Sequence, residues 1–257
     1  MNQILVTEKL YVTPELKQKK KVYKFNFIIS IFLVIVLASL YVYAEYDRNK
    51  GEQTSKQILK KINQTLTSTE KDSTILEDDI LLVILDETEE NNNQEQEKES
   101  EALTVASMNE KAEVYTSSSG YRYKIIAKIE IPKINLTYSV LQGETGSVKE
   151  TEELLKISPI KFHGYDPNEI GNFCIAGHNY RNSKFFSKVP TLEVGDIVKL
   201  TDLTKRTITY EVYDIHSVEP NNRNDTTQLT GGKKEVTLIT CTDDSKERII
   251  VKCREVK

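Results

Sequence analysis

Residues 25–44, FNFIISIFLVIVLASLYVYA, run for 20 residues without a charge. A helix of that length rises to about 30 Å, the thickness of a bilayer's hydrocarbon core. Asn26 and Ser30 near one end and Ser39 near the other do not prevent a span. Tyr23 precedes the run, and Tyr41, Tyr43 and Tyr46 cluster at its far end, where half-apolar rings suit the headgroup level. Residues 17–24 hold five lysines in eight positions, which favours the cytoplasmic side. The expected topology is a single-pass membrane anchor with the N-terminus in the cytoplasm and the rest of the chain outside. Residues 1–24 form the basic cytoplasmic segment, and the lipid bilayer is a partner through residues 25–44. A cleaved signal peptide competes with this reading, but the run exceeds a usual apolar h-region and no strong small-x-small site follows it. A buried core helix is disfavoured, because such helices are rarely apolar all round over this length.

The remainder is uneven. Hydrophobic residues make up 38% of the 257, low for a fully packed chain, so one compact domain with less packed segments is expected. Residues 45–120 read as an extracellular stalk, largely flexible and acidic. Within it, residues 86–101 hold eight acids against one lysine and no apolar side chain. Such a segment cannot bury enough surface to offset its chain entropy. A spacer is the plain reading, an acidic docking tract the other. Ile58, Leu59, Ile62 and Leu66 follow helical spacing, so 52–66 is predicted as an amphipathic helix near the membrane. Residues 80–85 form a short apolar run that needs burial, as helix or strand. The loop 115–120, YTSSSG, marks a domain boundary. A net charge of −4 with no strongly basic folded region does not point to nucleic acid.

From Tyr121 the pattern changes to short, alternating, β-branched stretches between turn residues. Strands are predicted at 124–131, 136–140, 172–177, 197–200, 207–218, 236–241 and 248–253, with one or two helical turns at 152–157. Many short strands at this spacing suggest an antiparallel sandwich or barrel.

The last two stretches carry the most chemistry. VTLITC (236–241) and RIIVKC (248–253) flank six polar residues, TDDSKE. Paired as an antiparallel hairpin with Cys241 opposite Arg248, they sort by the pleat into two faces. One carries Val236, Leu238, Thr240, Ile249, Val251 and Cys253 and looks like core. The other carries Thr237, Ile239, Cys241, Arg248, Ile250 and Lys252. A one-residue slip would exchange the faces. In this register Cys253 is a small core hydrophobe, while Cys241 ends a strand beside a fixed positive charge. A nearby cation favours the thiolate, which is the nucleophile. A guanidinium offers donors in a rigid fork and suits an oxyanion.

Three cysteines are too few for a disulfide framework, and neither CxxC nor HExxH occurs, so zinc has little support. Acyl transfer through a thiol also needs a proton carrier, and histidine changes charge near neutral pH. His178 ends the predicted strand in GNFCIAGH. His163 and His216 lack that setting and read as structural or surface residues. Cys174 reads as core, or as a redox partner of another thiol.

Taken together, GNFCIAGH (171–178), TLITC (237–241), RIIV (248–251), IEIPKI (129–134) and FFSKVPTLEVGD (185–196) resemble segments of the sortase family, in the same order. The resemblance covers roughly 124–256 and makes 121–257 the expected catalytic domain. It implies a closed eight-stranded β-barrel with short helices and a cysteine transpeptidase. Cys241 would attack an LPxTG-like cell-wall sorting signal on a secreted protein and form a thioacyl enzyme. His178 would protonate the leaving amine and assist the incoming one, and Arg248 would position substrate and steady the oxyanion. The acceptor would be an amine of a peptidoglycan precursor or a pilin, in a Gram-positive envelope. No metal or organic cofactor is required, although some sortases bind calcium. The short loop between Cys241 and Arg248 looks most like class D. The alternatives are a catalytically inactive membrane-tethered β-barrel binding module and a cysteine hydrolase that uses water as acceptor.

Overall fold

The computed structural model describes residues 14–68 and 112–256. The apolar run 80–85 and the acidic tract 86–101 lie outside the described residues. The described residues fall into two compact units that divide between Asn49 and Lys50.

Helix α1 (Pro14–Ser68) supplies the first unit and opens the second. In the first unit its mean hydropathy reaches 2.6 over an 18-residue window with no residue buried, so it is a candidate membrane span. Residues 50–68 contain the helix predicted at 52–66. They are helical, and the apolar stripe at helical spacing is buried within the second unit, with Ile58 and Ile62 at 5% and 2% exposure. Burying two isoleucines contributes about 3–6 kcal/mol before the cost of ordering the helix. That is the reason this stretch joins the fold rather than lying free beside a membrane.

Strand β1 (Val114–Thr116) precedes the expected boundary and pairs with β2 (Arg122–Ile131). Then follow β3 (Leu136–Gly143), helix α2 (Val148–Leu155), β4 (Ile160–His163), β5 (Gly171–Ala176), β6 (Ile197–Asp202), β7 (Thr207–Val218), β8 (Lys234–Cys241) and β9 (Arg248–Glu255). The sheet order is β1-β2-β3-β4-β5-β8-β9-β7-β6, and β6 pairs back onto β2. Eight strands therefore close into a barrel, with β1 as an extra strand on β2. The joints β3–β4 and β5–β8 are parallel and the others antiparallel.

Two strands and the start of one helix escaped the sequence pattern. β4 is four residues long and meets β3 at one pair, Leu141↔Ile160. Helix α2 begins at Val148, not at 152, because the Ser147 hydroxyl accepts the Glu150 N–H. The Glu150 carboxylate in turn accepts backbone N–H groups of Glu144, Thr145 and Gly146, at 3.0, 3.0 and 2.6 Å. This satisfies a buried charge and fixes the β3–α2 turn.

The barrel interior is apolar and includes Ile129, Ile131, Val140, Phe173, Ile175, Leu200, Val236, Leu238, Val251 and Cys253. A second apolar cluster gathers Ile58 and Ile62 of α1 with Tyr123, Ile125, Leu141, Leu154, Ile160 and Ala176, and Ile239 packs against it. The alternation along β8 thus splits between two cores: Val236 and Leu238 belong to the first, Ile239 to the second.

Candidate active site

β8 and β9 pair in the register expected from the sequence, and the last rung is Cys241↔Arg248. Directly opposed residues of an antiparallel pair share a face. The loop beyond that rung is held by its own bonds. Thr242 donates its N–H to Glu247 O at 3.1 Å, and its hydroxyl donates to Asp244 at 2.7 Å. Ser245 takes a positive φ of 62° to complete the turn.

On the other side of β8 lies β5, parallel, with its last pair Ala176↔Ile239. The chains stay together beyond that pair. Gly177 donates its N–H to Ile239 O at 3.0 Å, and the Thr240 hydroxyl donates to Gly177 O at 2.9 Å. The next residue of each chain is His178 and Cys241. Three residues far apart in sequence are therefore carried to one end of three adjacent strands.

The Gly177 position admits no side chain, because a Cβ there would run into the buried ring of Phe186. Phe186 donates its N–H to His178 O at 3.0 Å. The His178 ring lies against Tyr180, with centroids 4.9 Å apart and planes tilted by 36°. Tyr180 meets Phe185 edge-on at 5.3 Å, and Phe185 stacks on Tyr138 at 5.3 Å. The Phe185 N–H donates to the Tyr138 hydroxyl at 3.0 Å. This aromatic row buttresses the histidine. Neither Tyr180 nor Tyr138 was singled out from the sequence; an aromatic two residues past His178 was the available signal.

Burial holds the His178 imidazole below its ordinary pKa, the charge of Lys156 acts the same way, and Glu152 opposes them. The charged form of the ring is accordingly disfavoured. Cys241 and Arg248 are half-buried, and the Arg248 guanidinium makes a long contact to Glu247 O, at 3.4 Å. Among the described residues no acid forms an ion pair with Arg248, and the Cys241 thiol and His178 imidazole share no hydrogen bond. The strand register brings a thiol, a guanidinium and an imidazole to the same end of the barrel wall. In the absence of substrate, catalytic hydrogen bonds are commonly long or unmade.

The other candidates lie elsewhere. Cys174 and Cys253 are fully buried free thiols, and burial pushes Cys174 up to about 12. His163 is exposed at the end of β4. His216, on β7, sits between Asp214 at 3.0 Å and Asp225 at 3.2 Å. Among the described residues no three His, Cys, Asp or Glu side chains are grouped to hold a metal ion.

A closed eight-stranded barrel with short helices, its cysteine strand paired in parallel with a histidine-ended strand, is a sortase-type fold. Residues 129–256 match the family model described as the sortase domain, and the chain belongs to the sortase family, a family of transpeptidases. It is 25% identical over 157 residues to Sortase A of Streptococcus agalactiae serotype III (strain NEM316), a match covering 58% of this chain and 60% of that protein. The chain thus matches less than two thirds of that relative's length. Among solved structures, the Clostridium perfringens Sortase D5 transpeptidase shares 28% identity with a TM-score of 0.48, covering 63% of this chain and 95% of that one. Streptococcus pneumoniae Sortase C shares 18% identity with a TM-score of 0.51, covering 78% and 97%, a likeness of fold.

Proposed function

We propose that this chain is a membrane-anchored sortase that cleaves an LPxTG-like sorting signal and joins the carboxyl side to an amine. The observation that carries this reading is the rung Cys241↔Arg248 with the His178-bearing strand end alongside.

In the first half-reaction the Cys241 thiol gives its proton to the His178 imidazole, and the thiolate so formed attacks the carbonyl carbon of the scissile Thr–Gly-type bond. A C–S bond forms, and the carbonyl electrons move to oxygen. Arg248 donates N–H groups to that oxyanion. When the tetrahedral species collapses, the C–N bond breaks and protonated His178 gives its proton to the departing amine. In the second half an acceptor amine attacks the thioester and loses its proton to His178. The C–S bond breaks, an amide forms, and the sulfur takes the proton back from His178 to restore the thiol. Splitting one difficult step into two is the purpose of the covalent intermediate.

The uncharged run 25–44 and the lysines before it support anchoring with the catalytic unit outside the cytoplasm. The acceptor is a peptidoglycan-precursor or pilin amine of a Gram-positive envelope. The six-residue loop between Cys241 and Arg248 favours class D within the family.

The test is a peptide library incubated with the full chain in detergent, with and without an added amine, read by mass spectrometry. Amine-dependent ligation that Cys241→Ala abolishes supports the proposal. Cleavage whose yield and products ignore the amine favours a hydrolase, and no cleavage at all favours a binding module.

A further inference from the structure

We propose that Asn179 is a positioning residue of this site: its side-chain amide ties the strand end bearing His178 to the backbone of Cys241 and to the loop that leads to Arg248. The inference rests on the transpeptidase reading above and assigns the part that holds its three groups in register.

The backbone ladder between β5 and β8 ends at Ala176↔Ile239. Beyond it, side chains carry the connection. The Thr240 hydroxyl reaches Gly177 O, and one step further the Asn179 amide reaches across in the opposite direction. One Asn179 Nδ2 hydrogen goes to Cys241 O at 2.9 Å, and the other to Asp243 Oδ1 at 3.0 Å. Asn179 Oδ1 accepts the Arg181 N–H at 2.9 Å, an Asx turn that steers the chain after His178. The orientation of the amide is fixed by its surroundings: two acceptors face the nitrogen and a donor faces the oxygen. A parallel tie runs from Arg181 Nη2 to Ser245 Oγ at 2.9 Å.

This geometry joins both arms of the site through one residue. Asn179 adjoins His178 in the chain. Its acceptors are the carbonyl of Cys241 and a side chain in the loop Thr242–Glu247, which ends at Arg248. A movement of either loop that separated imidazole from thiol would have to break these bonds. Lost alignment of about 1 Å between reacting groups costs on the order of 100-fold in rate.

The discriminating variant is Asn179→Asp in the full chain in detergent. It keeps the acceptor for Arg181 N–H and so keeps the turn, but removes both donors. Two readouts are used: steady-state ligation of a cleaved sorting peptide, and the pH profile of Cys241 alkylation by iodoacetamide, which needs no peptide. The expected result is a kcat lower by about 10- to 100-fold with KM within about twofold. The alkylation profile is expected to change in the variant, and to change no further when the same substitution is made in a His178→Ala background. Wild-type kcat and alkylation profile in the variant would overturn the proposal. So would an equal change of profile in the His178→Ala background, since the effect would then not pass through the histidine. If Asn179→Asp does not fold, Asn179→Ala, which lacks the donors without adding charge, carries the same expectations. A wild-type chain that ligates no peptide would count against the transpeptidase reading, while the alkylation arm would still decide the role of Asn179.

Discussion

Glu52, on α1, and Lys184, in the segment that follows His178, form an ion pair at 3.1 Å with both side chains largely covered. Glu52 also holds Lys56 at 2.9 Å, one helical turn on. The helix reaches the barrel through neighbouring contacts as well: Ser55 meets Ser158 at 3.3 Å, and Gly51 lets the Lys156 carbonyl approach where a Cβ would stand. The helical part of the second unit is therefore attached to the stretch that carries the histidine, and not only to the barrel wall.

The pair gives a pH prediction with a definite sign. Burial raises the Glu52 carboxyl, but hydrogen bonds and charge from Lys56 and Lys184 outweigh it, and the net pKa lies below the ordinary value. A depressed carboxylate contributes stability that is present above its unfolded pKa and lost as pH falls through the folded one. Glu52→Gln is expected to cost about 0.5–1 kcal/mol at neutral pH. Thermal melts of the two proteins should differ at pH 7 and converge in acid below the carboxylate range. A difference that persists unchanged into acid would count against the pair.

His178 is expected to titrate below a solvent-exposed histidine, since burial and Lys156 both disfavour its charge. Removing the cation with Lys156→Gln should raise the midpoint while leaving the larger effect of burial in place. The C2 proton of His178, followed by NMR against pH, reports both directly. An upward-shifted wild-type midpoint, or a downward move in the variant, would contradict the electrostatics described here.

Thiol labelling should separate the cysteines cleanly. Cys174 and Cys253 are 0% exposed, and burial raises both thiols, whereas Cys241 is half-buried at a strand end. Intact-mass analysis is expected to find one label per native chain, mapped to Cys241, and three after unfolding. Label on Cys174 or Cys253 at a comparable rate would show that the barrel opens more readily than its packing implies.

Gly177→Ala sets a methyl against the fully buried Phe186 ring. Overpacking of this kind costs about 1–3 kcal/mol. The melting temperature should fall, and proposed activity should fall further than stability alone explains, because residue 178 is next in line. A variant as stable and as active as the parent would show that Phe186 has room to move.

Alternation was enough to read the register of β8 and β9, because a slip by one residue would have put Lys252 and Arg248 into the core. The strand ending at His178 was legible for a similar reason: an apolar run stopping at Gly177-His178 has few other readings. β4 was not, since four residues give a period-2 pattern nothing to repeat. The α1 stripe at Ile58 and Ile62 showed which side needed covering but not by what, and a nearby bilayer and the barrel surface fit the same stripe. Ser147-Val148-Lys149-Glu150 carries the signature of a helix start one turn before 152. Asn179 left no trace beyond its place after His178, because an amide's partners are set by loops whose paths local patterns do not encode.

The parallel joint between β5 and β8 also has a kinetic meaning. Because the two strands run the same way, the chain must leave the end of β5, lay down β6 and β7, and return before Cys241 can reach the level of His178. Contacts of such wide sequence separation form late and slowly. Until that joint closes, Cys241 and His178 are held apart, so the proposed acyl transfer is withheld until the wall is whole.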